Sequence, residues 1–476
     1  MIHRGPPDPG TDRGKSPPGR PPARMNMGTT LAQLLGTIGS LRSSRLLRDT
    51  VSTTGLSVLG KGIGFAIPFF VAAWFGIDFR TDAFFFTYGL VLLLAGIFFP
   101  VVEAVIVPFI TEIKSQSESE VRRFVGTALV LSIAGLAVLG AVFLLVSRPV
   151  LSVVTKFPQE SLDLIFHLFL ETSPLLLLLV STSLLSGVLN AYRLFALPAV
   201  SPGIRASVAI LTIFALKGEI GVHSIAVGYV FGELARFTAL FIYAAKKGIA
   251  PTVTSVRADG RVYEFLRTAS YQVTGMAIIV FNPVVDKTMA SWLGLGSVSL
   301  LEYSYRLYEI PLTFIARGFF VVLLSHWSAS FYEEGRPRPS RISDLKRSVF
   351  RTAWIVGGGG VVASVILILL REPLVSLVYG RGEFDVEHLS IVYTVWTFYL
   401  IGLGPTVFGW VFARAHLVLK NTKLLMFSGI VNAVLNVALN LALIGPLGLN
   451  GLALSTAITH TVVTVVLVVF FLRKTS

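Results

Sequence analysis

The sequence predicts an all-α polytopic membrane protein, with about twelve transmembrane helices in two pseudo-twofold-related six-helix lobes around a central cavity. Composition and pattern carry that expectation. Of 476 residues, 54% are hydrophobic and 14% charged, with mean hydropathy +0.75. Soluble domains are about 25% charged, so this chain has too few charges to coat a water-facing globule. Apolar runs of about 18 residues or more recur, each long enough to cross a hydrocarbon core of about 30 Å. The runs do not alternate, which excludes an outer-membrane barrel. A soluble enzyme and a nucleic-acid-binding domain are excluded with it. The formal charge of +14 is read as the loop bias of a membrane protein, not as a nucleic-acid footprint. With no cysteine, disulfides, thiolate metal sites and cysteine nucleophiles are absent.

Residues 1–27 form a basic tail rich in Pro and Gly, expected to be disordered and lacking the apolar stretch of a signal peptide. Met25 and Met27 close it as alternative starts. Residues 28–50 read as an amphipathic helix on the membrane surface, with Leu31, Leu34, Leu35, Ile38 and Leu41 followed by Arg42, Arg45 and Arg48. Six spans, at 51–77, 83–110, 124–147, 162–189, 196–216 and 221–245, make an N-lobe over 51–247. A cytoplasmic linker covers 248–263. Six more, at 264–293, 298–330, 349–370, 388–416, 423–443 and 450–472, make a C-lobe over 264–476. With the N-terminus inside, the inner loops, span ends and tail hold 18 Lys and Arg against 6 outside, so both termini are placed in the cytoplasm. Gly335 to Arg351 is the densest inner loop, and no outer loop is large enough for a domain.

The halves echo each other. Ala72-Ala73-Trp74-Phe75-Gly76 matches Ala290-Ser291-Trp292-Leu293-Gly294. Gly187, Ala191 and Arg193 match Gly409, Ala413 and His416, and Gly203-Ile204 matches Gly429-Ile430. Six spans per half give both halves one topology, with a site expected at their interface.

Ionisable groups inside spans mark that site, because a charge at mid-bilayer costs about 2.5–3.5 kcal/mol even on insertion scales. They are Lys61, Glu103, Glu171, Arg205, Glu233 with Arg236, Asp286 with Lys287, then Glu302, Arg306, Glu309 and Arg317, then Arg414, His416 and His460. Glu233 and Arg236 are spaced as an intrahelical pair. Arg317, Arg414 and His416 lie near inner ends and are expected to snorkel. Lys61, well inside span one, and Arg306, in the polar stretch Glu302 to Pro311, come from equivalent regions of the two halves. Two readings of Arg306 stand: Glu302 and Glu309 neutralise it, or it lines a central cationic cavity with Lys61. The cavity is the reading adopted. Pro100, Pro108, Pro202-Gly203, Pro283, Pro311 and Gly404-Pro405 interrupt the spans, and Gly60, Gly62 and Gly64 allow bending. Asn432, Asn436 and Asn440 form an i,i+4 ladder, read as interhelical glue. No HExxH, GxSxG or GxxxxGK[ST] motif occurs, and Gly357–Gly360 reads as close helix packing.

Several strings resemble the MurJ/MviN lipid II flippases. These are Trp74-Phe75-Gly76 through Thr81-Asp82-Ala83-Phe84-Phe85, then Val107-Pro108-Phe109. Val285-Asp286, Ala290-Ser291, Gly296-Ser297-Val298-Ser299 and Tyr305 to Pro311 follow, then Ala413-Arg414, Asn421-Thr422, Asn436, Asn440 and Pro446-Leu447-Gly448. The resemblance covers roughly 50–460 and implies the fold of the multidrug/oligosaccharidyl-lipid/polysaccharide exporter superfamily. It puts Lys61 at the family's first-helix cation, Arg306 at its eighth-helix Arg, and Asp82 at its Asp after helix one. This chain departs from the pattern: Ile67 and Ala95 stand where the family has further Arg residues, Tyr305 replaces an acid, and twelve helices replace the usual fourteen.

The combined expectation is a transporter, not an enzyme: an inner-membrane flippase for a polyprenyl-pyrophosphate-linked glycan such as lipid II, working by alternating access. Lys61, Arg306, Lys287 and Arg205 would bind the pyrophosphate. Asp82, Glu103, Glu171 and Asp286 would serve coupling or gating, to a monovalent cation or proton. No cofactor, metal or nucleic acid is expected, and the chain is expected to be a monomer in the bacterial inner membrane. The alternatives are an O-antigen, capsule or exopolysaccharide repeat-unit flippase, a multidrug cation antiporter, and a non-transporting envelope scaffold.

Overall fold

The computed structural model describes residues 45–475 except 97, 115, 254–259 and 332–337. Met1–Val51 and Ser52–Ser476 form separate compact units, and of the first only the helical turns from Arg45 are described. The tail 1–27 and most of the surface helix 28–50 therefore lie outside the described residues, as does part of the linker 248–263.

The described residues form sixteen α-helices and one short 3-10 turn, with no strand. They are α1 (Arg45–Phe75), α2 (Phe79–Gly96), α3 (Phe99–Lys114), α4 (Glu118–Val154), α5 (Gln159–Thr172), α6 (Pro174–Ala191), α7 (Ala196–Ile220) and α8 (His223–Lys246). There follow α9 (Gly260–Ala290), the 3-10 turn Ser291–Leu293, α10 (Ser297–Phe331), α11 (Arg338–Leu369), α12 (Arg371–Tyr379), α13 (Val386–Ile401), α14 (Leu403–Val418), α15 (Thr422–Leu447) and α16 (Leu449–Thr475). Nine helical stretches among the described residues are long and apolar enough to cross a membrane. Three more polar helices, α1, α9 and α10, run 31, 31 and 35 residues.

Proline explains where spans split. Expected spans two, four and ten are each two helices, broken just ahead of Pro100, Pro174 and Gly404-Pro405. A proline in the first turn loses no hydrogen bond there, whereas deeper in a helix it clashes with the preceding turn. Pro108, Pro202, Pro283 and Pro311 nevertheless sit inside continuous helices. The basic stretch 335–351, expected as a loop, is helical from Arg338 onward.

The internal repeat reaches the backbone. Gly76 after α1 and Gly294 after α9 both have positive φ, 62° and 109°. Among the described residues, Arg193 and Lys420, each two residues beyond α6 or α14, are the positive-φ non-glycine residues, at 59° and 53°. Gly221 ends α7 at φ 55°, ψ −133°, and Gly448 ends α15 at φ 57°, ψ −133°. Such matched terminations arise when two segments of similar sequence fold alike.

Packing follows the halves, with α9 shared. α7 packs on α8, α3 on α6, and α2 on α5; α11 packs on α14, α15 on α16, and α10 on α13 and α14. α9 touches α2 and α3 on one side and α15 on the other. A core of Phe84, Phe85, Tyr303, Tyr379 and Tyr399 joins α2 to α10, α12 and α13.

One end of this join is tied by hydrogen bonds. The Glu383 N–H donates to Ala73 O at 2.9 Å, and Tyr303 Oη donates to Gly76 O at 3.2 Å. A Cβ on Gly382 would lie 1.9 Å from Ala73 O, so the α12–α13 hairpin rests backbone to backbone on the end of α1.

Candidate functional site

Four ionisable side chains form a chain of ion pairs across α9 and α10. Glu302 is four residues before Arg306, and Glu309 three residues after it, so all three share one face of α10. Arg306 Nε and Nη2 both lie 2.7 Å from Glu302 Oε1, and Nη1 donates to Glu309 Oε2 at 2.7 Å. The second Glu302 oxygen, Oε2, is 2.9 Å from Lys287 Nζ on α9. Lys287 also donates to Phe85 O on α2 at 2.9 Å. It passes over Gly89, where a Cβ would come within 3.3 Å of its Nζ. Glu302 and Lys287 are buried, with 5% and 8% of their side chains exposed, while Arg306 and Glu309 retain 22% and 33%. Of the two readings open for Arg306, the neutralised one describes this conformation. The quartet carries two charges of each sign.

A second cluster surrounds Glu233. Its Oε1 accepts from Thr182 Oγ1 at 2.6 Å and from Arg236 Nη1 at 3.2 Å, and its Oε2 is 3.7 Å from Arg205 Nη1. Glu233 is wholly buried, and neither its Oε2 nor Arg205 Nε makes a hydrogen bond. Tyr229, one turn before Glu233 on α8, packs against Tyr88 of α2. Sequence reasoning missed these two tyrosines, whose rings meet edge to face at 4.7 Å. Nothing in their local sequence separates them from core aromatics.

Asp286, next to Lys287, accepts from Asn440 Nδ2 at 2.6 Å, and Asn282 Nδ2 donates to Asn432 Oδ1 at 2.6 Å. Asn440 in turn reaches Asn436 and Ser455. The asparagine ladder thus joins α9 to α15, as its spacing suggested. A narrow cleft of about 30 Å³ beside it is lined by Asp286, Lys287, Glu302, Tyr305 and Tyr399.

The other expected site residues lie elsewhere. Asp82, fully buried in the first turn of α2, accepts from the Gly296 and Ser299 N–H groups at 2.6 and 2.7 Å and from Ser299 Oγ at 2.7 Å. It therefore caps α10 and helps tie the α1 end, where a carboxylate meets unpaired donors and the positive end of the helix dipole. Glu171, at the end of α5, pairs with His223 Nδ1 at 2.7 Å. This half-exposed pair stands beside a separate cleft of about 420 Å³, lined by Arg80, Glu160, His167 and His223 among others. The side chains of Lys61, Glu103 and Arg317 lie outside the described residues. His416, expected to snorkel, is instead fully buried, its Nε2 2.9 Å from Leu467 O.

Comparison with known proteins shows the family and the fold. A family model described as "Lipid II flippase MurJ" matches residues 71–476. A probable lipid II flippase MurJ of Borreliella burgdorferi is 22% identical over 77% of this chain and 71% of its own length. That of Buchnera aphidicola is 24% identical over 88% and 82%, and that of Thermotoga maritima 27% over 73% and 69%. A solved lipid II flippase MurJ in an inward closed conformation superposes with TM-score 0.71 at 22% identity, covering 89% of this chain and 87% of that one. An inward-facing MATE transporter of the MOP superfamily gives 0.67 at 14%, covering 90% and 94%. These structural likenesses show a shared fold. With the family pattern running through 71–476, this multi-pass membrane chain belongs to the lipid II flippase MurJ family.

Proposed function

We propose that this protein carries lipid II, a polyprenyl-pyrophosphate-linked glycan, across the bacterial inner membrane by alternating access, as a transporter and not an enzyme. The observation that carries this reading is the family match over residues 71–476. The charged chemistry supports it: Arg306 on α10 and Lys287 on α9 are two cations beside α2, where the two halves meet, and Arg205 is a third on α7, against Glu233 of α8. Guanidinium and ammonium groups bind phosphate through charge-assisted hydrogen bonds that strengthen away from water. Lys61, on α1, is assigned to the same site by its place in the sequence.

α1–α8 and α10–α16 act as two lobes, with α9 between them, and rock about the Lys287–Arg306 region. The tied end carrying Ala73, Asp82 and Glu383 faces the outside, following the charge bias of the loops, and both termini face the cytoplasm. Asp286, flanked by side-chain amides, is the candidate for coupling to a proton or monovalent cation. The protein works as a monomer.

Complementation tests the reading. In cells depleted of their own lipid II flippase, the wild-type protein restores growth, while Arg306→Ala and Lys61→Ala, expressed to the same level, do not. Failure of well-expressed wild type to rescue transfers the assignment to another lipid-linked oligosaccharide. Rescue by all three removes the cationic site from the mechanism.

A further inference from the structure

The quartet of Lys287, Glu302, Arg306 and Glu309 meets an incoming anion as a neutral assembly, with three of the Arg306 nitrogens already engaged. A substrate diphosphate cannot bind that guanidinium by both edges unless a carboxylate leaves. We propose that Glu309 is an exchangeable counter-anion: it holds Arg306 while the site is empty, the diphosphate takes its place, and it returns when the substrate departs. This inference rests on the flippase reading and names the residue that sets how tightly that site holds its substrate.

The two glutamates differ in ways that assign the exchange to Glu309. Glu302 is 5% exposed and doubly tied, with one oxygen on Arg306 and the other on Lys287. Removing it would leave two buried cations without a partner, which is costly. Glu309 contacts the quartet through one oxygen on one guanidinium nitrogen and keeps 33% of its side chain exposed, so it can turn away from Arg306 while Glu302 still compensates that charge. Carboxylate and phosphate oxygens accept from a guanidinium edge in the same manner, so the diphosphate, which carries the larger negative charge, can take the place of the carboxylate on Arg306. A neutral or cationic headgroup gains nothing from the exchange, which makes the site selective for anions. The returning carboxylate also keeps the bound state from becoming too stable to release, as a transporter requires.

The test is equilibrium binding of undecaprenyl pyrophosphate to the purified full-length protein in nanodiscs, comparing wild type with Glu309→Gln, Glu309→Ala and Arg306→Gln. Thermal unfolding of each variant confirms folding. If Glu309 competes with the ligand, Glu309→Gln and Glu309→Ala bind about tenfold more tightly than wild type, a shift of about 1.4 kcal/mol, and Arg306→Gln loses binding. If Glu309 instead positions the guanidinium, both Glu309 variants bind as weakly as Arg306→Gln, and the inference fails while the flippase reading stands. Equal affinity of wild type and both Glu309 variants also overturns it. Absence of binding by wild type and Glu309→Gln alike would overturn the flippase reading and the inference together.

Discussion

Glu302 is the residue on which the site depends most, because it is the shared partner of two cations on two helices. Taking one partner out of a buried ion pair costs about 3–5 kcal/mol, since the remaining charge is left without compensation. Glu302→Ala is therefore expected to lower the thermal unfolding temperature of the detergent-purified protein more than Glu309→Ala does. Asp82 gives a second test. Its truncation to Ala strands the buried Gly296 and Ser299 donors, a loss of about 1–3 kcal/mol, again read as thermal stability. Both residues were legible in the sequence, but not equally. The Glu302–Arg306–Glu309 spacing states its own contacts, because neighbours at three and four residues share a helix face. The partners of Asp82 lie 214 and 217 positions away, and Lys287 meets Phe85 O across 202. No local pattern encodes such pairings, so Asp82 was expected as a gating or coupling group and its capping of α10 emerged only from the fold.

Among elements, the breaks beside Pro100 and Gly404-Pro405 fall at expected interruptions, the break before Pro174 was not expected, Pro108, Pro202, Pro283 and Pro311 break no helix, and helix lengths were misread where a polar helix outruns the apolar core. Hydropathy marks only the lipid-buried part of a helix, so Glu118–Val154 and Arg338–Leu369 extend well past the apolar stretches expected at 124–147 and 349–370. The repeat was legible as weak string matches, and the helix ends give it physical content. A side chain in this sparsely populated backbone region costs about 1–3 kcal/mol, and no atom lies within 4 Å of a Cβ built on Gly221 or Gly448. Gly221→Ala and Gly448→Ala should therefore destabilise the protein by similar amounts through backbone strain alone. Unequal losses in thermal unfolding would mean the two turns are not equivalent.

At the scale of the whole molecule, the proposed alternating access, with this tied end outside, predicts that the Ala73–Glu383 contact breaks in each cycle. The native chain has no cysteine, so labelling a single introduced cysteine reports one site without background. Gly382→Ala places its Cβ 1.9 Å from Ala73 O. It is expected to loosen the tied end and raise labelling of a cysteine at Ala73 by an impermeant outside reagent. Unchanged labelling would show that this contact does not close the path. The central claim, that this protein moves lipid II across a bilayer using the charges around Arg306, is tested most directly in proteoliposomes. Purified protein is reconstituted with fluorescent lipid II, and the fraction reaching the opposite leaflet is followed with a membrane-impermeant quencher. The account predicts translocation by wild type and none above empty liposomes for Arg306→Ala. Equal translocation by both, or none by correctly folded wild type, would contradict it.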